Sequence, residues 1–250
     1  MVQELSRRTS FSGPALVRLL ARLNDADIFE PRQTLSDRLS QWLGWADAIS
    51  LAGALNGAAP ALPAGSGAPG LDEENEYARV RAALSNAIAG INTPAAPRHR
   101  GRQRPAAVQE DAAQGAAVEF STYRQRYASL QQDMETRITD LRMHLRAGLV
   151  GRSPAMASLA AVDAAMEQAL KEREYRLLAG VPGMLEAHFE RLRQSGPVAP
   201  ADDGAGRQSP VARPGAWLDI FHKDMQRVLL AELDIRLQPI EGLLCALRAH

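Results

Sequence analysis

The sequence predicts an all-α fold, an antiparallel bundle of six or seven helices joined by disordered linkers rich in Ala, Pro and Gly. Apolar residues recur at steps of three and four, the spacing of one helix face. No segment shows the alternating, β-branched pattern of a strand. Three low-complexity stretches separate the helical ones and are too poor in large apolar residues to fold alone. The clearest apolar run consists of Phe120, Tyr123, Tyr127, Leu130, Met134, Ile138, Leu141, Leu145 and Leu149.

The first two predicted helices cover residues 11–24 and about 35–55. Ser12 is a good N-cap for the first helix, because a serine hydroxyl can accept a hydrogen bond from the first turn. Thr34 is the expected cap of the second helix, and Asp37 lies three residues later, where a capping box places its acidic partner. Both helix starts are therefore predicted by local side-chain chemistry.

Gly44 interrupts the second predicted helix between two tryptophans, at a cost of about 1 kcal/mol relative to alanine. One interpretation is that Gly44 lets a neighbouring helix approach closely while the rings of Trp42 and Trp45 fill the core. The alternative is that the rings are partly exposed and mark a groove for a partner protein. Trp42, Leu43 and Trp45 are therefore the candidate partner-binding residues.

The third helix begins near Asp72, after an Ala/Pro/Gly-rich loop over residues 57–70. Several carboxylates occupy its first turn, where the helix dipole favours negative charge. The long helix that carries the clearest apolar run extends over about 116–147. We expect Gly148 and Gly151 to end it, because glycine has a low helix propensity.

Ser153 and Pro154 start another helix with a cap followed by a proline in the first turn, which predicts an αα-hairpin with the long helix. The GVPG segment at 180–183 ends it, and a short helix follows. The last helix begins near Ala216, and Pro239 should kink it. The apolar positions after Pro154 are Met156, Leu159, Val162, Met166, Leu170 and Leu177. In the last helix Trp217, Phe221, Met225, Val228, Leu229, Leu233 and Leu237 form the apolar face, and Asp219, Lys223, Arg227, Asp234 and Gln238 the solvated side.

The linkers divide the chain into two predicted regions. Residues 1–92 form an N-terminal helical region of three helices, and residues 93–115 a disordered linker. Residues 116–250 form a C-terminal helical bundle with a disordered insert over 195–214.

Composition limits the classes of function. The formal net charge is zero, so no overall field attracts nucleic acid or an anionic membrane. Hydrophobic residues make up 46% of the chain but aromatic residues only 5%, and alanine dominates the apolar set. Such a core is thin, and association into a homodimer would add burial.

The N-terminus lacks the apolar run of a signal peptide, and no stretch of about 18 apolar residues could span a bilayer. We therefore expect a cytoplasmic protein without direct membrane insertion. Cys245 is the one cysteine, so an intramolecular disulfide is excluded. Its apolar surroundings in the last helix predict a small core residue.

No recognisable catalytic motif is present. Gly65, Gly67 and Gly70 match the spacing of a dinucleotide fingerprint, but Pro69 lies inside the match and no strand precedes it. No histidine has a second histidine or a cysteine at metal-binding spacing on the same helix face. We expect a protein that is not an enzyme and has no catalytic residues, metal or cofactor.

A short basic tract lies in the second linker. Arg98, Arg100, Arg102 and Arg104 could neutralise phosphates and are the candidate nucleic-acid-binding residues. The tract contains no aromatic residue to stack on a base, and the whole chain is neutral. A solvated linker is the alternative interpretation, and the one we favour.

Two blocks carry a resemblance to a known family. FSGPALVRLLARL at residues 11–23 and LSDRLSQWLGWADAISL at residues 35–51 resemble an uncharacterised betaproteobacterial family, classed as a domain of unknown function. The resemblance extends across the chain and implies no activity, cofactor or catalytic residue. The genes of such proteins lie near genes for envelope proteins, so the resemblance implies a cytoplasmic accessory of an envelope-associated complex.

These observations together favour a non-enzymatic helical interaction or scaffold protein with a protein partner. A nucleic-acid-binding or regulatory protein that uses the Arg98–Arg104 tract is the first alternative. An unrecognised enzyme is the second, because the residues of an active site converge in space rather than in sequence.

Overall fold

The computed structural model of the protein describes residues 14–26, 34–56, 71–92, 119–195 and 216–249. Every regular element in these ranges is helical, which confirms the predicted all-α fold. The predicted linkers over 57–70 and 93–115 lie outside the described residues, as does the predicted insert from residue 196 onward. The α-helices in the described ranges are α1 (Ala15–Leu23), α2 (Leu35–Trp42), α3 (Trp45–Asn56), α4 (Leu71–Ala89), α5 (Phe120–Val150), α6 (Pro154–Ala179), α7 (Val181–Gln194) and α8 (Ala216–Arg248).

Two predicted helix starts are confirmed. The backbone N–H of Asp37 donates to Thr34 Oγ1 over 3.1 Å, and the Asp37 carboxylate accepts from the Thr34 N–H over 3.1 Å. The Met156 N–H donates to the hydroxyl of Ser153 at the start of α6. The other predicted cap, Ser12, lies outside the described residues.

The single helix predicted over residues 35–55 is two helices, α2 and α3. Leu43 has an extended backbone with ψ 120°, which ends α2. The N–H of Gly44 donates to the Asp47 carboxylate over 3.0 Å, so the side chain of Asp47 satisfies a donor at the start of α3. The sequence contained both causes, a glycine of low helix propensity and an acid three residues later.

The long helix does not end at Gly148, as the sequence predicts, but continues to Val150. Leu149 is fully buried, and its burial offsets the cost of about 1 kcal/mol for a glycine inside a helix. Burial of this large apolar side chain therefore outweighs the low helix propensity of Gly148. Helix α8 includes Pro239 within its bounds, and the kink expected there stays a prediction.

The core is built around α8, which packs against α1, α4, α5 and α7. Leu16 of α1 and Leu84 of α4 belong to the same hydrophobic core as the buried side chains of α5 and α8. Residues on both sides of the predicted 93–115 linker therefore contribute to one core. The buried apolar residues of α8 are Phe221, Met225, Val228, Leu229, Leu233, Leu237, Ile240, Leu243, Leu244 and Leu247.

An aromatic cluster closes one end of this core. Phe189 of α7 lies 5.0 Å from Phe221 of α8, with the rings at 80°. Phe120 and Tyr123 of α5 contact the same two rings at centroid distances of 5.3 to 6.1 Å. Edge-to-face contacts with Phe221 and tilted contacts with Phe189 join the three helices.

The α2–α3 segment lies at the periphery of the bundle. α3 packs along α6, but none of its residues is fully buried. None of the helices in the described ranges combines the length and apolar character needed to cross a membrane.

Candidate interaction site

A cleft opens beneath the C-terminal half of α6, between this helix, α5 and α8. The predicted apolar stripe of α6 is buried at its start, where Met156 is 8% exposed, but Leu177 near its end is 64% exposed. Between them, Met166 and Leu170 are half-buried and line the cleft. This α6 cleft is the candidate site, because a stripe with a core pattern is left partly uncovered there.

The α6 cleft consists of two adjoining cavities of about 310 Å³ and about 710 Å³. Glu135, Tyr175 and Arg236 line both cavities. Along α5 the lining extends from Arg124 to Arg142, about 27 Å at a rise of 1.5 Å per residue. The apolar residues that line the first cavity are Trp42, Ile138, Met166, Leu170, Leu177, Ile235 and Pro239.

A buried polar network connects α5 and α8 at the base of the cleft. Glu232 is fully buried and accepts hydrogen bonds from Tyr127 Oη over 2.6 Å, Gln131 Nε2 over 3.0 Å and Arg236 Nη2 over 2.9 Å. Burial, together with the adjacent Glu232 carboxylate, raises the pKa of Tyr127 above its ordinary value, so the phenol stays protonated and donates. Every member of this network has a partner, and its geometry holds Gln131 and Arg236 in the cleft wall.

A ladder of ion pairs fixes α5 against α6 on the other side of the cleft. Arg142 donates twice to the Asp163 carboxylate, over 2.8 and 2.6 Å, and Arg146 donates to Asp163 and Glu167 over 2.7 and 2.5 Å. The four side chains are 13 to 24% exposed. Burial tends to raise the pKa of Asp163, but the two guanidinium groups outweigh it and hold the pKa below its ordinary value.

The rim of the cleft is formed by an aromatic ring and cations. The Arg173 guanidinium lies 4.3 Å from the centre of the Trp42 ring, a cation–π contact between α6 and α2. Lys171 pairs with Glu135 across the cleft over 3.6 Å. No carboxylate of the described residues forms an ion pair with Arg173. The rim therefore presents a cation at its Trp42 end.

The structure separates the residues predicted to bind a partner. Trp42 lines the α6 cleft and is half-buried. Leu43 is half-buried at the end of α2 and lines neither cavity. Trp45 is 83% exposed, so the interpretation that both tryptophan rings fill the core is wrong for Trp45. The predicted nucleic-acid-binding residues Arg98, Arg100, Arg102 and Arg104 lie outside the described residues.

Sequence reasoning also missed a buried pair between α7 and the first half of α8. His188 Nε2 lies 3.1 Å from Asp224 Oδ2, and both residues are buried beside the aromatic cluster. Arg227 donates to the other oxygen of Asp224 over 3.1 Å. Asp224 could have been recognised, because it follows Phe221 by three residues on the apolar face of α8.

The described residues contain no group of three or more His, Cys, Asp or Glu side chains that could hold a metal ion. Cys245 is exposed, which corrects the expectation of a small core residue. It lies between buried Leu244 and Leu247 in sequence but points away from the core. The described part of the α6 cleft presents apolar surface, an aromatic ring and charged groups.

The fold and the cleft define the chain as an all-helical bundle protein with an open, largely apolar groove. The chain belongs to the family described as Protein of unknown function (DUF3348), whose model matches residues 1–249. This match confirms the resemblance to a family of unknown function that the segments at 11–23 and 35–51 indicate. No curated protein and no solved structure matches the chain.

Proposed function

We propose that this protein is a non-enzymatic helical scaffold that binds an amphipathic helix of a partner protein in the α6 cleft. The observation that carries the proposal is the incomplete burial of the α6 stripe. Leu170 and Leu177 occupy positions with core spacing, yet the chain leaves them as the lining of an open cleft. Uncovered apolar surface of this kind is typical of protein interaction sites.

The dimensions of the cleft favour a helix as the occupant. About 27 Å of α5 forms its floor, which corresponds to roughly five turns of a docked helix. Leu170, Leu177 and Ile235 give the cleft apolar surface, and polar and charged side chains lie beside them in its walls and rim. An amphipathic helix could bury its apolar face there and leave its polar face in solvent. Trp42 lies at one end of the groove, where an aromatic ring offers a large contact area.

The charges of the rim specify the chemistry of the partner. Arg236 is held by Glu232 and Glu174, and Arg142 by Asp163, so their charges are already compensated. Arg173 stacks on Trp42 and has no ion pair within the described ranges. An Asp or Glu side chain on the partner helix would pair with Arg173 and fix the helix in register.

We also propose that this scaffold acts in the cytoplasm as an accessory of an envelope-associated complex. The nucleic-acid alternative stays a prediction from sequence, because the Arg98–Arg104 tract lies outside the described residues. Affinity purification with and without nuclease distinguishes the scaffold hypothesis from the nucleic-acid hypothesis.

The test is affinity purification of the tagged full-length chain from lysate of the source cells, membranes included, with and without nuclease. Leu177→Glu places a charge in the cleft at an exposed position and should lower recovery of the specific partner at least tenfold. Leu230→Glu is the matched control, because Leu230 is 41% exposed on α8 and lines neither cavity. The expected partner is a protein that survives nuclease and is lost with Leu177→Glu alone.

A synthetic peptide that spans the amphipathic helix of this partner should then bind the wild-type chain and the control variant but not the Leu177→Glu variant. Arg173→Glu should weaken binding of the peptide and recover part of the affinity when the acidic residue of the peptide is changed to lysine. Recovery of nucleic acid alone, or equal loss of the partner with both leucine variants, would contradict the proposal.

A further inference from the structure

The most apolar helix of the described chain is also the least buried. The sequence of α3, WADAISLAGALN, contains one charged residue, Asp47. Even so, no residue of α3 is fully buried, and Trp45, Ile49 and Leu55 are 83%, 52% and 64% exposed. A solvent-facing helix normally carries charge on its outer face, so the outer face of α3 is suited to contact with another protein surface.

The exposed residues form a stripe with the spacing of a helix–helix seam. The less exposed positions of α3 are Asp47, Leu51 and Ala54, on the side of the helix that packs along α6. The opposite side carries Trp45, Ile49, Ala52 and Asn56, at steps of four, three and four. These steps repeat every seven residues, as in two helices that pack along each other. We call these four residues the α3 stripe.

The α3 stripe also permits close approach of a second helix. Ala48, Ala52 and Gly53 lie along it, and a Cβ atom added at Gly53 would meet no atom within 4 Å. Small residues let two helix backbones approach until the larger side chains on either side interlock. Trp45 and Ile49 at one end would supply most of the apolar contact area.

We propose that the α3 stripe is a two-fold interface with α3 of a second copy of this chain, with the two helices parallel and the axis running along the stripe, so that each residue of the stripe faces its own counterpart. A two-fold axis places the same surface against itself, so any charge on it would face a like charge. The stripe carries none, and Asp47 is turned to the other side, where its carboxylate accepts from the Gly44 N–H. A partner of opposite charge would gain nothing from such a surface, whereas a second copy meets it without repulsion.

The interface is separate from the α6 cleft. Trp45, Ile49 and Ala52 line neither cavity, whereas Trp42 lines the first. A dimer through α3 would therefore leave both clefts open and present two partner-binding sites from one assembly. Avidity for a partner with repeated binding segments would follow.

Sedimentation over about 5 to 500 μM tests the proposal, since a seam of three turns, about 18 Å long, is a small interface. The full chain should shift from monomer to dimer in this range. Ile49→Asp should raise the dissociation constant at least tenfold and leave the far-ultraviolet circular dichroism unchanged, and Trp45→Glu should act in the same way. Leu230→Asp, at an exposed position of α8, is the control and should leave the dimer intact.

Cross-linking locates the interface. Cys245→Ser removes the one cysteine, and Ala52→Cys then places a thiol on the stripe at the proposed axis. Mild oxidation should yield a disulfide-linked dimer, because a two-fold axis through this position brings the two Cα atoms within the range of about 4.4 to 6.8 Å. Ala187→Cys, exposed on α7, is the control in the same background and should yield none.

A monomer at the highest concentration, a dimer that withstands both Ile49→Asp and Trp45→Glu, or equal cross-linking at both positions would overturn the proposal. Partner recovery by the Ile49→Asp monomer would still support the cleft.

Discussion

At the scale of single residues, the buried charges of α8 are placed where their hydrogen bonds can be satisfied. Glu232 has three donors, and Asp224 has His188 and Arg227. Burial of an unpaired carboxylate in an apolar interior costs free energy. Loss of these hydrogen bonds should therefore destabilise the folded chain.

Glu232→Ala should therefore destabilise the protein strongly. The substitution leaves Tyr127 and Gln131 without their acceptor and removes the main counter-charge of Arg236, which is 11% exposed. Loss of one partner of a buried pair costs about 3 kcal/mol, which urea denaturation measures.

Glu172→Ala is the control for this prediction. Glu172 pairs with Arg176 at i,i+4 on the same helix, but both side chains are more than 70% exposed, so stability should change little. Equal effects of the two substitutions would show that the buried network does not stabilise the fold.

The burial of Glu232 could have been predicted from the sequence by asking which charged residues lie on the apolar face of α8. Glu232 lies four residues after Val228 and three after Leu229, on the apolar face, with Arg236 four residues further on. An acid on the apolar face with an arginine at i+4 indicates a buried pair. Tyr127 and Gln131 could not be assigned to it, because their proximity depends on how α5 packs against α8.

At the scale of elements, the α5–α6 hairpin is held by ion pairs as well as by apolar contact. Arg142 and Arg146 lie on one face of α5 at i,i+4, and Asp163 and Glu167 lie at the same spacing on α6. The sequence predicts the hairpin from Ser153 and Pro154 but not this ladder, because the pairing of two helices in register is a tertiary property.

Because of the ion pairs between α5 and α6, we expect the free energy of unfolding to fall in acidic solution. The folded-state pKa of Asp163 lies below its ordinary value of 3.8, so the unfolded chain binds a proton first as the pH falls. The contribution of Asp163 is complete above about pH 5 and is lost as the pH falls through 3.8 toward the lower, folded-state pKa.

Urea midpoints measured from pH 6 to pH 2 check this sign. The wild-type chain should lose stability more steeply below pH 4 than Asp163→Asn, which cannot bind that proton. Asp133→Asn is the control, because Asp133 pairs with Arg137 on an exposed face and should leave the slope of the wild-type curve nearly unchanged. Parallel curves for wild type and Asp163→Asn would contradict the prediction.

At the scale of the whole molecule, periodicity in the sequence predicted which residues form the core, and tertiary packing determined what remains open. The buried residues of α5 coincide with the predicted run except for half-buried Leu130. The α6 stripe has equally good periodicity, yet it is uncovered toward Leu177. Spacing identifies a face that can be buried, but whether this chain or another protein covers it depends on the paths of the neighbouring helices. The α6 cleft could therefore not be found from sequence.

The difference in burial between α8 and α3 predicts that these two helices differ in local stability. α8 packs against four helices through a continuous buried face, whereas α3 packs mainly along α6 and buries no residue. Backbone amides of α3 should exchange with solvent through local opening, and those of α8 only through global unfolding.

In native-state hydrogen exchange at low protein concentration, Leu51→Ala should accelerate exchange in α3 and leave α8 unchanged, because Leu51 lies on the side of α3 toward α6. Raising the concentration should slow exchange in α3 specifically, since an interface formed by the α3 stripe stabilises the closed helix by mass action. If α3 were as protected as α8 in the dilute protein, the periphery would be part of the cooperative core, and α3 would not form the separate, less stable element that its burial predicts.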